Sequence, residues 1–133
     1  LRKEFGDSGI GDSVCVLGGW LSKDEIRAHI DCAQAVVLPF VLVPSDVPVA
    51  ALEALARGKP VVVSPVDGLP ELAQGRGLIV DPTDELEFAK QLVAFSRNDQ
   101  QWRSAAENAR RFIEHYPEWS QIGSEAIALV EQA

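Results

Sequence analysis

Short apolar runs alternate with amphipathic stretches along this 133-residue chain. The runs are rich in β-branched residues and predict buried strands at 14–17 (VCVL), 35–40 (AVVLPF), 60–64 (PVVVS) and 77–81 (GLIVD). Between the first two runs, Ser22 followed by Glu25 has the pattern of a capping box at the start of a helix. A second helix is predicted from about Pro48 to Arg57, where Gly58 ends it.

Beyond residue 81 the pattern predicts three further helices. The first begins at Thr83 or Asp84, and the last runs from about Ser120 to Glu131. The aromatic residues predicted to pack in the core from these helices are Trp102, Phe112 and Trp119. Unbroken apolar strands separated by helices indicate an α/β fold, a doubly wound parallel sheet covered on both faces, with carboxyl-terminal helices. Ligands of such sheets bind beyond the carboxyl ends of the strands.

Composition and charge narrow the classes of function. The length fits one domain, and the net charge of −8 disfavours nucleic acid and an anionic membrane surface as partners. No apolar run is long enough to span a bilayer, and no signal peptide is visible. Cys15 and Cys32 lie in apolar segments without metal-ligand spacing, which predicts small core residues of a reduced, cytoplasmic protein.

Glu53 stands out in the Ala-rich helix that follows the second strand, and two interpretations of it remain open. It is either a solvated residue that pairs with Arg57 at i+4, or a ligand-binding residue. For the second, Pro48 starts the helix and the amides from Val47 to Ala51 offer donors to an anion. A carboxylate one turn further in can accept hydrogen bonds from a diol. A phosphate with a ribose diol beside it is part of a nucleotide, so this second interpretation predicts a nucleotide site.

Other polar positions predict mainly structural roles. The segment 81–84 (DPTD) indicates a turn and a helix cap in preference to a metal site. His29 and His115 lack the spacing of a catalytic base. Gly68 to Glu71 predicts a turn into a short helix, where Glu71 either caps the helix or faces a ligand. No catalytic residue is predicted.

Three motifs at these spacings resemble the carboxyl-terminal donor-binding domain of retaining GT-B glycosyltransferases, family four (group 1) type. They are Leu52-Glu53-Ala54, Gly58-Lys59-Pro60 and Gly68-Leu69-Pro70-Glu71. The resemblance implies the Rossmann-like half of a GT-B fold and a nucleotide-sugar donor. It implies transfer of the sugar, of hexosyl type, with retention, and no metal or other cofactor. The chain opens in mid-pattern without Met, so we expect a single donor-binding domain over 1–133, an incomplete fragment of a two-domain transferase. Its partner is then the missing amino-terminal acceptor domain, and this chain alone should be inactive.

The resemblance also assigns donor-binding positions. Glu53 matches the glutamate that holds the ribose, and Ser45 stands where the family has a second glutamate that contacts the sugar. Asp46 is a candidate to replace that carboxylate. The implied donor-binding residues are Gly18, Gly19, Ser45, Asp46, Val47, Pro48, Val49 and Glu53.

Two departures from the family pattern support a rival interpretation. Ser45 carries no charge, and Val47-Pro48-Val49 replaces a glycine-rich turn, where Pro48 removes an amide. Trp20, after the first strand, either contacts the base or packs on the next helix. The alternative function is a degenerate, non-catalytic GT-B domain that acts as a protein-interaction or scaffold module.

Overall fold

Three parallel strands form the sheet at the centre of the domain. A computed structural model describes residues 9–43 and 47–132. The strands are β1 (Val36–Leu38), β2 (Val61–Val63) and β3 (Gly77–Ile79), and they lie side by side in chain order. In register, Val62 of β2 stands between Val37 of β1 and Leu78 of β3. The strands predicted at 35–40, 60–64 and 77–81 are therefore confirmed, each shorter than its apolar run.

Helices cover both faces of this sheet. A 3₁₀ turn (Gly11–Ser13) precedes six helices, which are α1 (Lys23–Cys32), α2 (Val49–Ala56), α3 (Leu69–Ala73), α4 (Glu85–Arg97), α5 (Asp99–Glu114) and α6 (Trp119–Glu131). On one face, Val61 and Val63 pack with Leu55 of α2 and Leu69 of α3. On the other face, Val62 packs with Val80, Phe95 of α4 and Ala105 of α5. Alternate residues of β2 thus enter two cores, which confirms the predicted α/β architecture.

Local chemistry explains where the first two helices begin and end. The capping box of α1 is formed: the Glu25 amide donates to Ser22 Oγ at 3.2 Å, and the Ser22 amide donates to Glu25 Oε2 at 2.8 Å. At the end of α2, Gly58 adopts φ +64°. There the Gly58 amide donates to Leu55 O at 2.9 Å and the Lys59 amide to Ala54 O at 3.0 Å. These two bonds are a Schellman motif, which requires a left-handed residue at Gly58.

The amino-terminal region corrects several predictions. Residues 14–17 are not a strand, because no backbone within the described residues pairs with them, and Val14 and Leu17 are exposed. Cys15 and Cys32 are exposed rather than buried. Helix α1 buries none of its residues, so the described part of the chain leaves Cys32 at its end exposed.

Some of the predictions for the aromatic residues are confirmed and others are wrong. Trp102 and Phe112 are partly buried beside the cores, as predicted. Trp119 is 87% exposed and Trp20 is fully exposed, so Trp119 is not a core residue and Trp20 does not pack on α1. Over the residues that the structure describes, no helix has the length and apolar character needed to cross a membrane.

Candidate functional site

Two helices begin at the edge of the sheet where the strands end. Helix α2 follows β1, and α3 follows β2. Because the strands are parallel, both helix starts lie at their carboxyl ends, where ligands of such sheets bind. The loops that lead into the two helices are joined by Ser64, which is fully buried and whose hydroxyl donates to Phe40 O.

The first turn of α2 presents backbone donors at this edge. Pro48 is the N-cap residue with φ −64°, and it has no amide hydrogen. The Ala51 amide donates to Pro48 O at 3.0 Å, so it is already used. For the amides of Val49 and Ala50, no acceptor lies within residues 9–43 or 47–132. Of the predicted donors from Val47 to Ala51, Pro48 and Ala51 are therefore not available to a ligand.

Glu53 lies on the exposed side of α2. The buried side of the helix consists of Ala51, Ala54 and Leu55. Val49, at i−4 from Glu53, is 68% exposed, and Ala50 is exposed beside it. Within the described chain, the Glu53 carboxylate makes no hydrogen bond and no ion pair. The Glu53 carboxylate thus lies about 6 Å along the helix axis from Val49 and on the same face of α2 as Val49 and Ala50.

The natural surface partner of Glu53 is engaged elsewhere. Arg57, at i+4, donates from Nε to Asp31 Oδ1 at 2.6 Å and from Nη2 to Asp31 Oδ2 at 2.5 Å. This bidentate bond raises the pKa of Arg57 above its usual value, with smaller contributions from the charges of Asp31 and Glu53. The same bond lowers the pKa of Asp31. Arg57 is thus paired with Asp31 and not with Glu53, while Glu53 itself is exposed, so the two interpretations of Glu53, solvated residue and ligand-binding residue, both stay open.

A cleft of about 330 Å³ runs from the start of α2 along α3. Its lining consists of Val47, Gly68, Glu71, Leu72, Arg76 and Phe112. The cleft therefore joins Val47, just before α2, to Gly68 and Glu71 of the third motif. Glu71 is exposed on this cleft, and no side chain caps α3. Glu71 thus faces the cleft rather than acting as the cap.

Sequence reasoning missed the cationic wall of that cleft. The Arg76 guanidinium lies 4.1 Å from the centre of the Phe112 ring and donates to Leu72 O at 2.7 Å and Glu71 O at 2.5 Å. Partial burial lowers the pKa of Arg76, but a guanidinium remains charged. The one signal in the sequence is a cation just after α3, where it can satisfy carbonyls at the helix end.

The structure leaves the other predicted positions untested. Ser45 and Asp46 lie outside the described residues. Gly18 and Gly19 are exposed, and a Cβ added to either would meet nothing within 4 Å. Across the described chain, no hydrogen bond joins residues 15–21 to α2. The structure thus brings Val47, Pro48, Val49 and Glu53 together at the start of α2, while the assignment of Gly18 and Gly19 to the same site stays a prediction.

The segment 81–84 is a turn and a cap, as predicted. Asp81 Oδ1 accepts from the Thr83 amide at 2.9 Å and from its hydroxyl at 2.7 Å, while Asp84 Oδ1 accepts from the Glu87 amide at 3.0 Å. The bonds from Thr83 lower the pKa of Asp81. Where the structure describes the chain, no group of three or more His, Cys, Asp or Glu residues is placed to hold a metal ion.

Comparisons with known proteins give a family match and a structural match. Residues 1–98 match a family model described as "Glycosyl transferases group 1". No curated protein matches the chain. Among solved structures, it resembles the crystal structure of Anabaena Alr3699/HepE in complex with UDP-glucose, with a TM-score of 0.78 and 19% sequence identity. That match covers 99% of this chain and 36% of the other protein, and at this identity it shows a shared fold.

Proposed function

The chain belongs to the group 1 glycosyl transferases, and on that premise we propose that it binds the nucleotide-sugar donor of a retaining GT-B enzyme of family four. The parent enzyme would transfer a hexosyl group to an acceptor, with the acceptor domain supplied outside these residues. The observation that carries the proposal is Glu53. It is an exposed carboxylate without a partner in the described chain, one turn into a helix whose first amides face the carboxyl edge of the sheet.

The start of α2 supplies the phosphate site in this proposal. The amides of Val49 and Ala50 and the positive end of the helix dipole favour an anion at this position. During transfer, negative charge develops on the diphosphate as the bond to the sugar breaks. Fixed dipoles aimed at that charge stabilise the transition state more than the ground state. Helix α2 thus contributes electrostatic stabilisation and requires no metal ion for it.

Glu53 supplies the ribose site. Its carboxylate oxygens accept hydrogen bonds from the two adjacent hydroxyls of the ribose, and such charge-assisted bonds are worth about 1.5–3 kcal/mol. The neighbouring Val49 side chain offers apolar contact on the same helix face. Ser45 or Asp46 then reaches the sugar, and the loop at Gly18 and Gly19 lies near the base. The solved relative was crystallised with UDP-glucose, which is the class of ligand that we propose here.

Ligand-observed NMR tests this assignment on the full-length protein that carries the chain. UDP, GDP, ADP and their sugars are presented in turn, and saturation transfer to the ribose protons is recorded. We expect one nucleotide to bind, and Glu53→Gln to weaken its affinity at least about tenfold, which corresponds to about 1.4 kcal/mol. Glu125→Gln, on the exposed helix α6, is the matched control and should change nothing.

The outcomes separate the proposal from its rival. Equal affinities of the Glu53→Gln and Glu125→Gln variants for the nucleotide would remove Glu53 from the site. Absence of binding to every nucleotide tested would favour a non-catalytic interaction or scaffold module.

A further inference from the structure

The carboxyl-terminal ends of α1 and α2 are joined by a compact polar contact. Asp31, the second-last residue of α1, receives both arms of the Arg57 guanidinium at 2.6 and 2.5 Å. Lys59 also contacts this residue through the backbone, because its Nζ donates to Asp31 O at 2.8 Å. Helix α1 buries none of its own residues, and these charged groups join it to the end of α2 and to Lys59 just beyond it.

We propose that Asp31 is a positioning residue for the donor site, which acts by holding Arg57 away from Glu53. This inference rests on the proposed function, because it concerns how Glu53 stays available to the nucleotide. Arg57 lies four residues after Glu53, the spacing at which a glutamate and a following arginine pair on a helix. With Asp31 present, the guanidinium faces α1, and the Glu53 carboxylate keeps its acceptors open to the ribose.

The position of Asp31 fits this role better than a role in helix stability. A carboxylate in the last turn of a helix meets the negative end of the dipole, which disfavours it. Its bidentate bond to Arg57 has the geometry that guanidinium and carboxylate groups prefer, and it outcompetes a single-contact pair along one helix. The charge on Glu53 already acts on Arg57, so the two groups are within electrostatic reach.

Removal of Asp31 should make Arg57 compete with the ligand. A helical pair at this spacing is populated roughly two-thirds of the time when no other partner is present. The fraction of molecules with an open Glu53 then falls to about one third, and the apparent nucleotide affinity falls roughly threefold.

Three variants of the full-length protein test the mechanism with the nucleotide that binds best among UDP, GDP and ADP. Asp31→Ala should weaken binding roughly threefold in isothermal titration calorimetry. Asp24→Ala is the matched control, because it removes an exposed carboxylate of the same helix that contacts Arg27 at 3.4 Å. It should bind as the wild type does.

The double variant Asp31→Ala/Arg57→Ala distinguishes positioning from docking of α1. With no guanidinium to occupy Glu53, it should regain the wild-type affinity. If it binds as weakly as Asp31→Ala, or if Asp31→Ala binds as tightly as the wild type, the proposal is overturned.

A crystal structure of ligand-free Asp31→Ala gives a readout that needs no nucleotide. We expect the Arg57 guanidinium to lie within hydrogen-bonding distance of the Glu53 carboxylate. An Arg57 that still points away from Glu53 would overturn the proposal. Absence of nucleotide binding to the wild type would instead refute the proposed function, and the position of Arg57 in this crystal would still decide whether Asp31 controls it.

Discussion

Gly77 is the position where the smallest substitution should have the largest effect on the sheet. It is the first residue of β3 and stands opposite Val61 of β2. A Cβ added there would lie 1.7 Å from the carbonyl oxygen of Val61 and 2.7 Å from its carbonyl carbon. The obstacle is backbone, so no rotamer change relieves it. The strands would have to move apart by about 1.7 Å to reach the 3.4 Å at which ordinary contact begins.

The contacts around Gly77 determine how much stability the substitution should remove. Movement of that size breaks the bond from the Val61 amide to Arg76 O, now 3.2 Å, and strains the bond from the Val80 amide to Val63 O, now 2.9 Å. Each is worth about 1 kcal/mol net. Misfit in the core around the fully buried Val62 adds about 1–3 kcal/mol. We therefore expect Gly77→Ala to destabilise the domain by about 3–5 kcal/mol, a large part of the stability of an ordinary domain.

Gly58→Ala makes the same chemical change with a different physical cost. Its φ of +64° is unfavourable for alanine by about 1–2 kcal/mol. The added Cβ would meet the Arg110 Nε at 2.6 Å, but that exposed side chain can move. Hydrogen exchange of residues 60–64 and 77–80, measured by mass spectrometry, should show a far larger loss of protection for Gly77→Ala. A loss equal to or smaller than that of Gly58→Ala would refute the argument from backbone contact.

Two further predictions concern groups that hold the helices in place. Ser64→Ala leaves the Phe40 carbonyl without its donor, so the free energy of unfolding should fall by about 1–3 kcal/mol, whereas Ser96→Ala, which alters an exposed bond, should change it little. Urea unfolding, with hydrogen exchange as a second measurement, gives the free energy of unfolding of both variants. In α1, the hydroxyl and then the amide of Ser22 hold the pKa of Glu25 below its ordinary value of 4.5. Its contribution to the helix is therefore complete above that value and is lost as the pH falls through the lower folded pKa. Hydrogen exchange of the α1 amides should show this loss in the wild type, whereas Ser22→Ala should lower the free energy of helix opening by about 1 kcal/mol near neutral pH. It should weaken the dependence on Glu25 without abolishing it, because the amide of residue 22 still donates to Glu25 Oε2.

The parts of the fold that depend on local chemistry were predictable from the sequence. Helix α2 (Val49–Ala56) lies within a residue of its predicted bounds at both ends, because the fixed φ of Pro48 and the left-handed Gly58 act on their own neighbours. The strand around Val62 was equally clear, since a run of valines is typical of a strand buried on both faces.

The segment 14–17 shows the limit of such reasoning. Its apolar, β-branched residues fit a pleated surface, but a strand exists only where another backbone accepts and donates its hydrogen bonds. No such backbone lies beside it in the described parts of the chain. The prediction that Cys15 is buried failed for the same reason, because burial there depended on the strand.

The cleft beside α3 could not be predicted from periodicity either. Arg76 and Phe112 come from a loop and from α5, and their contact depends on how α5 crosses the domain. Periodicity indicates which side of a helix is apolar, but not which element will cover it. The sequence therefore predicted that Gly68 and Glu71 lie near the carboxyl edge, but not the cation that lies on the same cleft.

Glu53 shows why the availability of a candidate site residue is a tertiary property. Its local sequence favours pairing with Arg57, because a glutamate four residues before an arginine is a stabilising pair on any isolated helix. In the folded chain, Asp31 lies 26 residues before Arg57 and offers two carboxylate oxygens to the guanidinium. The bidentate contact prevails because one fork satisfies two donors without ordering a second flexible side chain along α2. An exposed carboxylate at a helix start becomes a plausible ribose acceptor only once that competitor is removed, and the contact that removes it connects α1 to α2.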